Sequence, residues 1–223
     1  MCRTKLADRK LPDYTKGEEI FNMVSHIVGG AFGIAALTLC VIKAALASDA
    51  YGVVSCSVYG ASMVVLYTMS SVYHGLRKGT SKKVMQVIDH CTIYFLIGGT
   101  YTPIALCAVR KYSTALGWVL FGLVWGFLIT ACVFTAIDLK KFSVLSMICY
   151  ILTGWCVVFF AKPVIKTVPV TGLIFLLLGG ISYTVGAVLY GLGSKHRYMH
   201  SVFHIFVVLG SLLQFFCIFF YVL

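Results

Sequence analysis

The sequence predicts an all-α integral membrane protein, a seven-transmembrane helix bundle. Of its 223 residues, 60% are hydrophobic and 11% are charged, which is far from the balance of a soluble domain. A helix needs about 20 mostly apolar residues to cross a bilayer, and seven such segments follow one another here. We therefore expect a multi-pass protein of the cell membrane, with a tail at residues 1–18 and one seven-helix domain at residues 19–223.

Polar connectors separate the seven segments. The first follows a basic tail in which Pro12-Asp13 breaks any helix. Its end, Ala45-Leu-Ala47, resembles a signal-peptidase site, but the apolar run is too long for a signal peptide. We predict spans at residues 20–46, 51–74, 85–108, 114–137, 142–161, 170–192 and 200–223, and connectors at 75–84, 109–113, 138–141, 162–169 and 193–199.

Small residues recur inside the apolar segments. The nine cysteines show no CxxC spacing, so we interpret them as small core residues and not as a disulfide or zinc-thiolate framework. Gly29 with Gly33, and Gly122 with Gly126, form small-xxx-small faces. Such faces allow two helices to approach closely.

Basic residues are distributed unequally between the two ends of the predicted bundle. With a cytoplasmic N-terminus, the inner segments hold Arg3, Lys5, Arg9, Lys10, Lys16, Arg77, Lys78, Lys82, Lys83, Lys140, Lys141, Lys195 and Arg197. The outer segments hold Lys43, Arg110, Lys111, Lys162 and Lys166. Because Lys and Arg concentrate on the cytoplasmic side, we expect the N-terminus to be cytoplasmic and the C-terminus to be outside. The net charge of +11 then reflects topology and attraction to anionic lipid, without implying a nucleic-acid partner.

Polar side chains within the predicted spans fall in one layer near the cytoplasmic surface. This layer contains Glu19, Asn22, Ser25, His26, Ser70, His74, Asp89, His90, His200 and His204. Ionisable groups within membrane spans are costly, and they usually mark function. The layer therefore predicts a functional site.

Three histidines of this layer predict a metal site. His200 and His204 lie at positions i and i+4, on one face of the seventh helix. Together with His74, they could supply three neutral imidazoles to tetrahedral zinc, with a fourth position open to water. The alternative is that each ring hydrogen-bonds a neighbouring helix and serves only packing.

The motifs in these helices resemble those of the hemolysin III family. Ser70-Ser-Val-Tyr-His74 matches S-x3-H at the end of the second helix, Asp89-His90 follow at the start of the third, and His200-Ser-Val-Phe-His204 matches H-x3-H. The segment from Glu19 to His26 also fits. That family is similar to the progestin and adipoQ receptors and the alkaline ceramidases, which are grouped as the CREST superfamily of metal-dependent membrane hydrolases. The resemblance extends from about residue 18 to the end of the chain.

The resemblance implies a site and a chemistry. By analogy with the adiponectin receptors, His74, His200 and His204 would bind Zn²⁺, and Asp89 would contact the zinc-bound water. Zinc lowers the pKa of such a water towards about 7, so Asp89 could accept its proton. Ser70, one turn from His74, would hydrogen-bond the water or the developing oxyanion. The alternative for Asp89 is a salt bridge with Lys82 or Lys83.

The remaining polar residues of the layer admit more than one role. Glu19, Asn22 and His26 share one stripe of the first helix and could orient the metal ligands. They could equally form helix–helix hydrogen bonds or complement the helix dipole. His90 points about 100° away from Asp89, and either His90 or His26 could be the third ligand in place of His74.

Other histidine and tyrosine residues are expected to lie outside the site. His196 is expected in a solvated loop, between two basic residues. Tyr73, Tyr94 and Tyr101 are expected to be interface or core aromatics.

Three functions are compatible with this sequence. The first is a zinc-dependent hydrolase that cleaves amide or ester bonds of a membrane lipid, as a ceramidase does. The second is a membrane-lytic or pore-forming protein, which the family's name suggests. The third is a receptor or lipid-sensing protein whose zinc is structural, although the short tail before the first helix differs from the adiponectin receptors and argues against a hormone receptor. The expected partners are the lipid bilayer and a lipid substrate, and the sequence does not define the oligomeric state.

Overall fold

Long apolar helices make up most of the protein. The computed structural model describes residues 4–47, 49–192 and 196–223, so Cys2, Arg3 and Lys195 lie outside the described residues. Within the described part of the chain, seven helices are long and apolar enough to cross a membrane. They are α1 (Lys16–Leu46), α2 (Ala50–Gly75), α3 (Thr80–Tyr112), α4 (Thr114–Ile137), α5 (Ser143–Thr167), α6 (Val170–Gly191) and α7 (Met199–Val222). The predicted seven-transmembrane fold and the multi-pass membrane location are thus confirmed.

Short connectors make consecutive helices antiparallel. Helices α1, α3, α5 and α7 therefore begin at the same end of the bundle, which we call the N-terminal end. The predicted connector at 75–84 is too long, because α3 already begins at Thr80. Lys82, placed in that connector by the sequence, is a buried residue of the first turn of α3. A buried lysine is tolerated there because its ammonium group has a carboxylate partner on α1.

Two of the spans are irregular. Helix α3 contains Pro103, which lacks a backbone N–H, and it continues as the π-helical segment Ile104–Val109. Helix α5 breaks near Trp155 and passes through the 3₁₀ segment Cys156–Phe160. The Tyr101 hydroxyl accepts the Val157 N–H at 3.0 Å and donates to the Gly154 carbonyl at 2.8 Å. Tyr101 thus satisfies backbone groups that the break in α5 leaves free, which unpaired would be costly inside a bilayer.

Close packing joins α1 to α2 and α6 to α7. A Cβ atom on Gly29 would lie 2.7 Å from the Tyr67 ring, and one on Gly33 would lie 3.3 Å from Met63, so this predicted face does allow close approach. Within the described residues, no helix packs closely against the predicted face on α4, since a Cβ on Gly122 or Gly126 would meet no atom within 4 Å. Eight cysteines within the described residues are free, and five of them are buried, in agreement with the prediction of core residues.

Candidate metal centre

Three histidines from two helices converge at the N-terminal end of the bundle. The Nε2 atom of His200 lies 3.3 Å from Nε2 of His74 and 3.0 Å from Nε2 of His204. All three side chains are buried, and within the described residues they form the one group of His, Cys, Asp or Glu whose ligand atoms all lie within 4.8 Å of one another. Helix α7 supplies His200 and His204 from successive turns, and the end of α2 supplies His74.

The hydrogen bonds of His74 leave one ring nitrogen free for a metal. Its Nδ1 lies 2.7 Å from the Glu19 Oε2 atom, and a carboxylate can only accept, so Nδ1 carries the proton. Nε2 therefore presents its lone pair to the other two histidines. The second oxygen of Glu19 accepts from Lys82 Nζ at 2.7 Å. A carboxylate that fixes the tautomer of a ligand histidine is common around protein metal sites.

The distances and the donor atoms fit a metal ion. Tetrahedral zinc with Zn–N bonds of about 2.0–2.1 Å places its nitrogen ligands roughly 3.3–3.4 Å apart. The two Nε2 separations of 3.3 and 3.0 Å are close to this value. Nitrogen lone pairs directed at one another repel unless a cation or a proton lies between them. The buried cluster of His74, His200 and His204 could therefore hold a metal ion.

An elongated cavity opens from the histidine cluster. Its volume is about 150 Å³, and Ser70, Asp89, His200 and His204 line one end of it. Ser70 is buried, whereas Asp89 is partly exposed and faces the cavity. Ser70 and Asp89 both line the cavity. The structure thus places the two predicted catalytic side chains beside the predicted ligands.

Within the described residues, Asp89 forms no salt bridge with Lys82, Lys83 or any other basic residue. Lys82 instead pairs with Glu19 and donates to the Leu76 carbonyl at 3.0 Å. Lys83 donates to the Ala7 carbonyl at 2.5 Å. The carboxylate of Asp89 is therefore not held by either lysine.

His26 and His90, the alternative ligands, do not belong to the group of histidines whose nitrogen atoms converge. The His26 ring stacks on His204, with centroids 3.7 Å apart and an interplanar angle of 23°. His90 Nδ1 donates to the Gln86 carbonyl at 2.7 Å, so its Nε2 accepts from the Tyr190 hydroxyl at 2.9 Å. Both nitrogens of His90 are therefore occupied.

Asn22 lies one turn before His26 on α1. Its side chain is completely buried, and its amide has no hydrogen-bond partner among the described residues. The Asn22 side chain therefore makes no hydrogen bond to any of the three histidines.

Tyr14 belongs to the site although the sequence did not indicate it. Its ring stacks on His200, with centroids 4.9 Å apart and an interplanar angle of 18°. The position of Tyr14 follows from the capping box of α1, in which Thr15 and Glu18 hydrogen-bond reciprocally. The other Glu18 oxygen accepts the Tyr198 N–H at 2.7 Å. The pattern Thr15-x-x-Glu18 is the signal that could have located this contact.

Two aspartates outside the membrane spans hold the N-terminal segment over the bundle. The Thr4 N–H donates to Asp138 at 2.7 Å, and the Lys141 N–H donates to it at 3.1 Å. These hydrogen bonds, the one from Thr4 above all, lower the pKa of the Asp138 carboxyl to about 2. Asp13 accepts from Lys78 at 2.6 Å, and this contact lowers the pKa of the Asp13 carboxyl. The exposed His196, as expected, lies in the connector before α7.

The fold and the site define a multi-pass membrane protein with a buried three-histidine cluster that could hold a metal ion. The family model described as "Haemolysin-III related" matches residues 14–215, and the chain belongs to this family. It is similar to Hemolysin-3 of Bacillus cereus, at 38% identity over 206 residues that cover 92% of both chains. It is also similar to the Hemolysin-3 homolog of Bacillus subtilis (strain 168), at 36% identity over 93% of this chain and 96% of the relative.

A more distant similarity extends beyond bacteria. The human Monocyte to macrophage differentiation factor is 21% identical over 181 residues, which cover 78% of this chain and 72% of the relative. The family model and the Bacillus relatives thus confirm the family that the S-x3-H, Asp89-His90 and H-x3-H motifs predict.

Proposed function

We propose that this protein is a zinc-dependent intramembrane hydrolase that cleaves an acyl-amide or ester bond of a membrane lipid. The observation that carries the proposal is the meeting of three imidazole nitrogens, a carboxylate and a hydroxyl at one end of a mostly apolar cavity. Borderline nitrogen ligands suit zinc among the common metals. An apolar cavity suits the hydrocarbon part of a lipid.

Each residue has a physical role in this proposal. Zinc held by His74, His200 and His204 would polarise a carbonyl group and lower the pKa of a water molecule. Asp89 faces the same space, so it would accept the proton of the attacking water. Ser70 would donate a hydrogen bond to the oxygen on which negative charge develops. Glu19 would keep His74 in the tautomer that presents Nε2 to the metal.

The shape of the cavity favours a lipid substrate over a pore. Its lining comes from α1, α2, α3, α5, α6 and α7, and beyond the site most of the side chains are apolar. A water-filled pore is usually lined by polar or charged groups. A lipid-sensing protein with a structural zinc would use the same three histidines, and turnover of a lipid separates it from a hydrolase.

We further propose that the site lies near the cytoplasmic face. The N-terminal end of the bundle carries most of the basic residues in the described connectors and tail, and the positive-inside rule then places this end in the cytoplasm. A water-soluble product would leave the site on that side.

Replacement of Asp89 tests the hydrolase proposal. Asp89→Asn should retain bound metal but lose turnover of a fluorescent acyl-amide lipid, since an amide cannot accept the proton. Ser70→Ala should lower turnover by roughly a hundredfold, as expected for one lost oxyanion donor. His204→Ala should remove the metal and the activity together. Full activity of Asp89→Asn, or a loss of metal as complete as in His204→Ala, would overturn the role given to Asp89.

A further inference from the structure

Away from the metal centre, the cavity is lined by a polar side chain that the proposed chemistry does not use. Gln214 lines the cavity and is only 4% exposed. It lies on α7, ten residues after His204, which corresponds to about 15 Å along a helix. The cavity therefore reaches from the metal centre deep into the bundle.

The Gln214 amide uses only its nitrogen within the described structure. Nε2 donates to the Leu176 carbonyl on α6 at 3.1 Å, whereas Oε1 has no hydrogen-bond partner. The reverse orientation of the amide would bring two acceptor oxygens together, so Oε1 is the atom left free. Gly179 makes room for this side chain, because a Cβ there would lie 2.6 Å from Nε2. The amide is thus held in place with an unused acceptor.

Beyond the metal centre, the other polar side chains that line the cavity within the described residues are already paired, as two threonines illustrate. The Thr100 hydroxyl donates to the Leu96 carbonyl at 2.8 Å. The Thr184 hydroxyl donates to the Gly180 carbonyl at 2.8 Å and accepts from the Trp155 indole at 2.9 Å. A buried acceptor without a partner is costly, so a ligand's donor group would gain a hydrogen bond at Gln214 Oε1.

We propose that the cavity binds a single acyl chain that carries a hydroxyl group near its middle, and that Gln214 Oε1 accepts the hydrogen bond of this hydroxyl. The cavity spans roughly 15 Å of helix and is mostly apolar beyond the metal centre, as the hydrocarbon part of a lipid requires. An extended hydrocarbon chain advances about 1.25 Å per carbon, because C–C bonds of about 1.5 Å zigzag at nearly tetrahedral angles. A carbonyl at the metal centre therefore brings a hydroxyl near carbon 12 to the level of Gln214. This length estimate rests on the proposed function, whereas the preference for a hydroxyl does not.

Displacement of cis-parinaric acid, a fluorescent 18-carbon fatty acid, tests the proposal with the whole protein in phospholipid nanodiscs. We expect 12-hydroxyoctadecanoic acid to bind about three- to tenfold more tightly than octadecanoic acid, the gain typical of one buried hydrogen bond. The 2-hydroxy isomer should show no such gain. The ethanolamides of the same acids, measured in the Asp89→Asn variant so that the amide stays intact, show whether a free acid or an intact amide is the better ligand.

Two variants separate the amide oxygen from helix packing. Gln214→Leu should lose the preference for the 12-hydroxy acid. Ser182→Ala is the matched control, because it also removes an α6–α7 hydrogen bond, that of Ser182 to the Phe206 carbonyl at 2.8 Å. Ser182 does not line the cavity, so this variant should retain the preference. If Gln214→Leu does not fold, the comparison of the hydroxy isomers in the unmodified protein decides the question.

Equal binding of the hydroxylated and plain acids to the unmodified protein would overturn the proposal. Retention of the preference in Gln214→Leu would overturn it too. Because the readout is binding, the inference survives a complete absence of lipid turnover. Turnover without any preference for a hydroxyl would instead leave the hydrolase proposal standing and refute this one.

Discussion

Glu19 connects a buried lysine to the candidate metal centre, and its replacement by glutamine should affect both. Glu19→Gln keeps the shape of the side chain but leaves the ammonium group of Lys82, which is 2% exposed, without a charged partner. Breaking a buried ion pair costs about 3–5 kcal/mol. Lys82 still donates to the Leu76 carbonyl, and the Glu19 side chain is 17% exposed, so we expect a loss of about 2–3 kcal/mol. Metal affinity should fall about 10- to 100-fold, the usual effect of losing the carboxylate behind a ligand histidine.

A double variant separates the two effects. Glu19→Gln with Lys82→Met removes the unpaired charge, so the stability of the metal-free protein should largely return while metal affinity stays low. Stability is measured by thermal unfolding in detergent, and affinity by competition with a chelator. Lys78→Gln is the matched control, because the Lys78–Asp13 pair has the same kind of contact at 2.6 Å but is largely exposed, and it should change neither quantity. Wild-type metal affinity in Glu19→Gln, or a double variant as unstable as the single one, would refute this reasoning.

Three further predictions concern topology, packing and pH. A reporter cysteine at Leu223 should react with a membrane-impermeant reagent outside intact cells, and reaction only from the cytoplasm would reverse the proposed orientation. Gly29→Ala should lower the unfolding temperature, because the new Cβ would lie 2.7 Å from the Tyr67 ring. Gly126→Ala should leave it unchanged, because its Cβ would meet no atom within 4 Å. Equal effects of the two variants would count against close α1–α2 packing. Asp138 has a pKa of about 2 instead of its usual 3.8, so its stabilising contacts are complete above about pH 4 and are lost as the pH falls through 2. Asp138→Asn should therefore speed proteolysis of residues 4–15 at neutral pH, and unchanged cleavage would show that these contacts do not hold the segment.

Much of the fold could be predicted because the bilayer imposes simple rules on a sequence. Apolar segments of sufficient length gave all seven spans, and polar connectors gave most of their ends. The prediction was less accurate where tertiary contacts compensate for an unfavourable residue. Lys82 lies inside α3 because Glu19 neutralises it, and α5 continues past its break because Tyr101 satisfies the free backbone groups. Neither contact can be read from local hydrophobicity.

The candidate site was predictable to the extent that depth in the membrane follows from position in a span. His74, His200 and His204 were placed at one depth by the topology, and the helical spacing of His200 and His204 placed them on one face. Helix rotation and side-chain direction could not be predicted in this way. The stacking of Tyr14 on His200 and the free oxygen of Gln214 depend on the cap of α1 and on the packing of α6 against α7, which only the folded structure specifies.

Metal analysis of the purified protein tests the central claim most directly. We predict one zinc ion per chain in the unmodified protein and less than a tenth of that amount in each of the His74→Ala, His200→Ala and His204→Ala variants. His90→Ala should retain the metal, because both ring nitrogens of His90 are already hydrogen-bonded. A well-folded, unmodified protein that contains no metal, and takes up none when zinc is added, would contradict the claim that these three histidines form a metal centre.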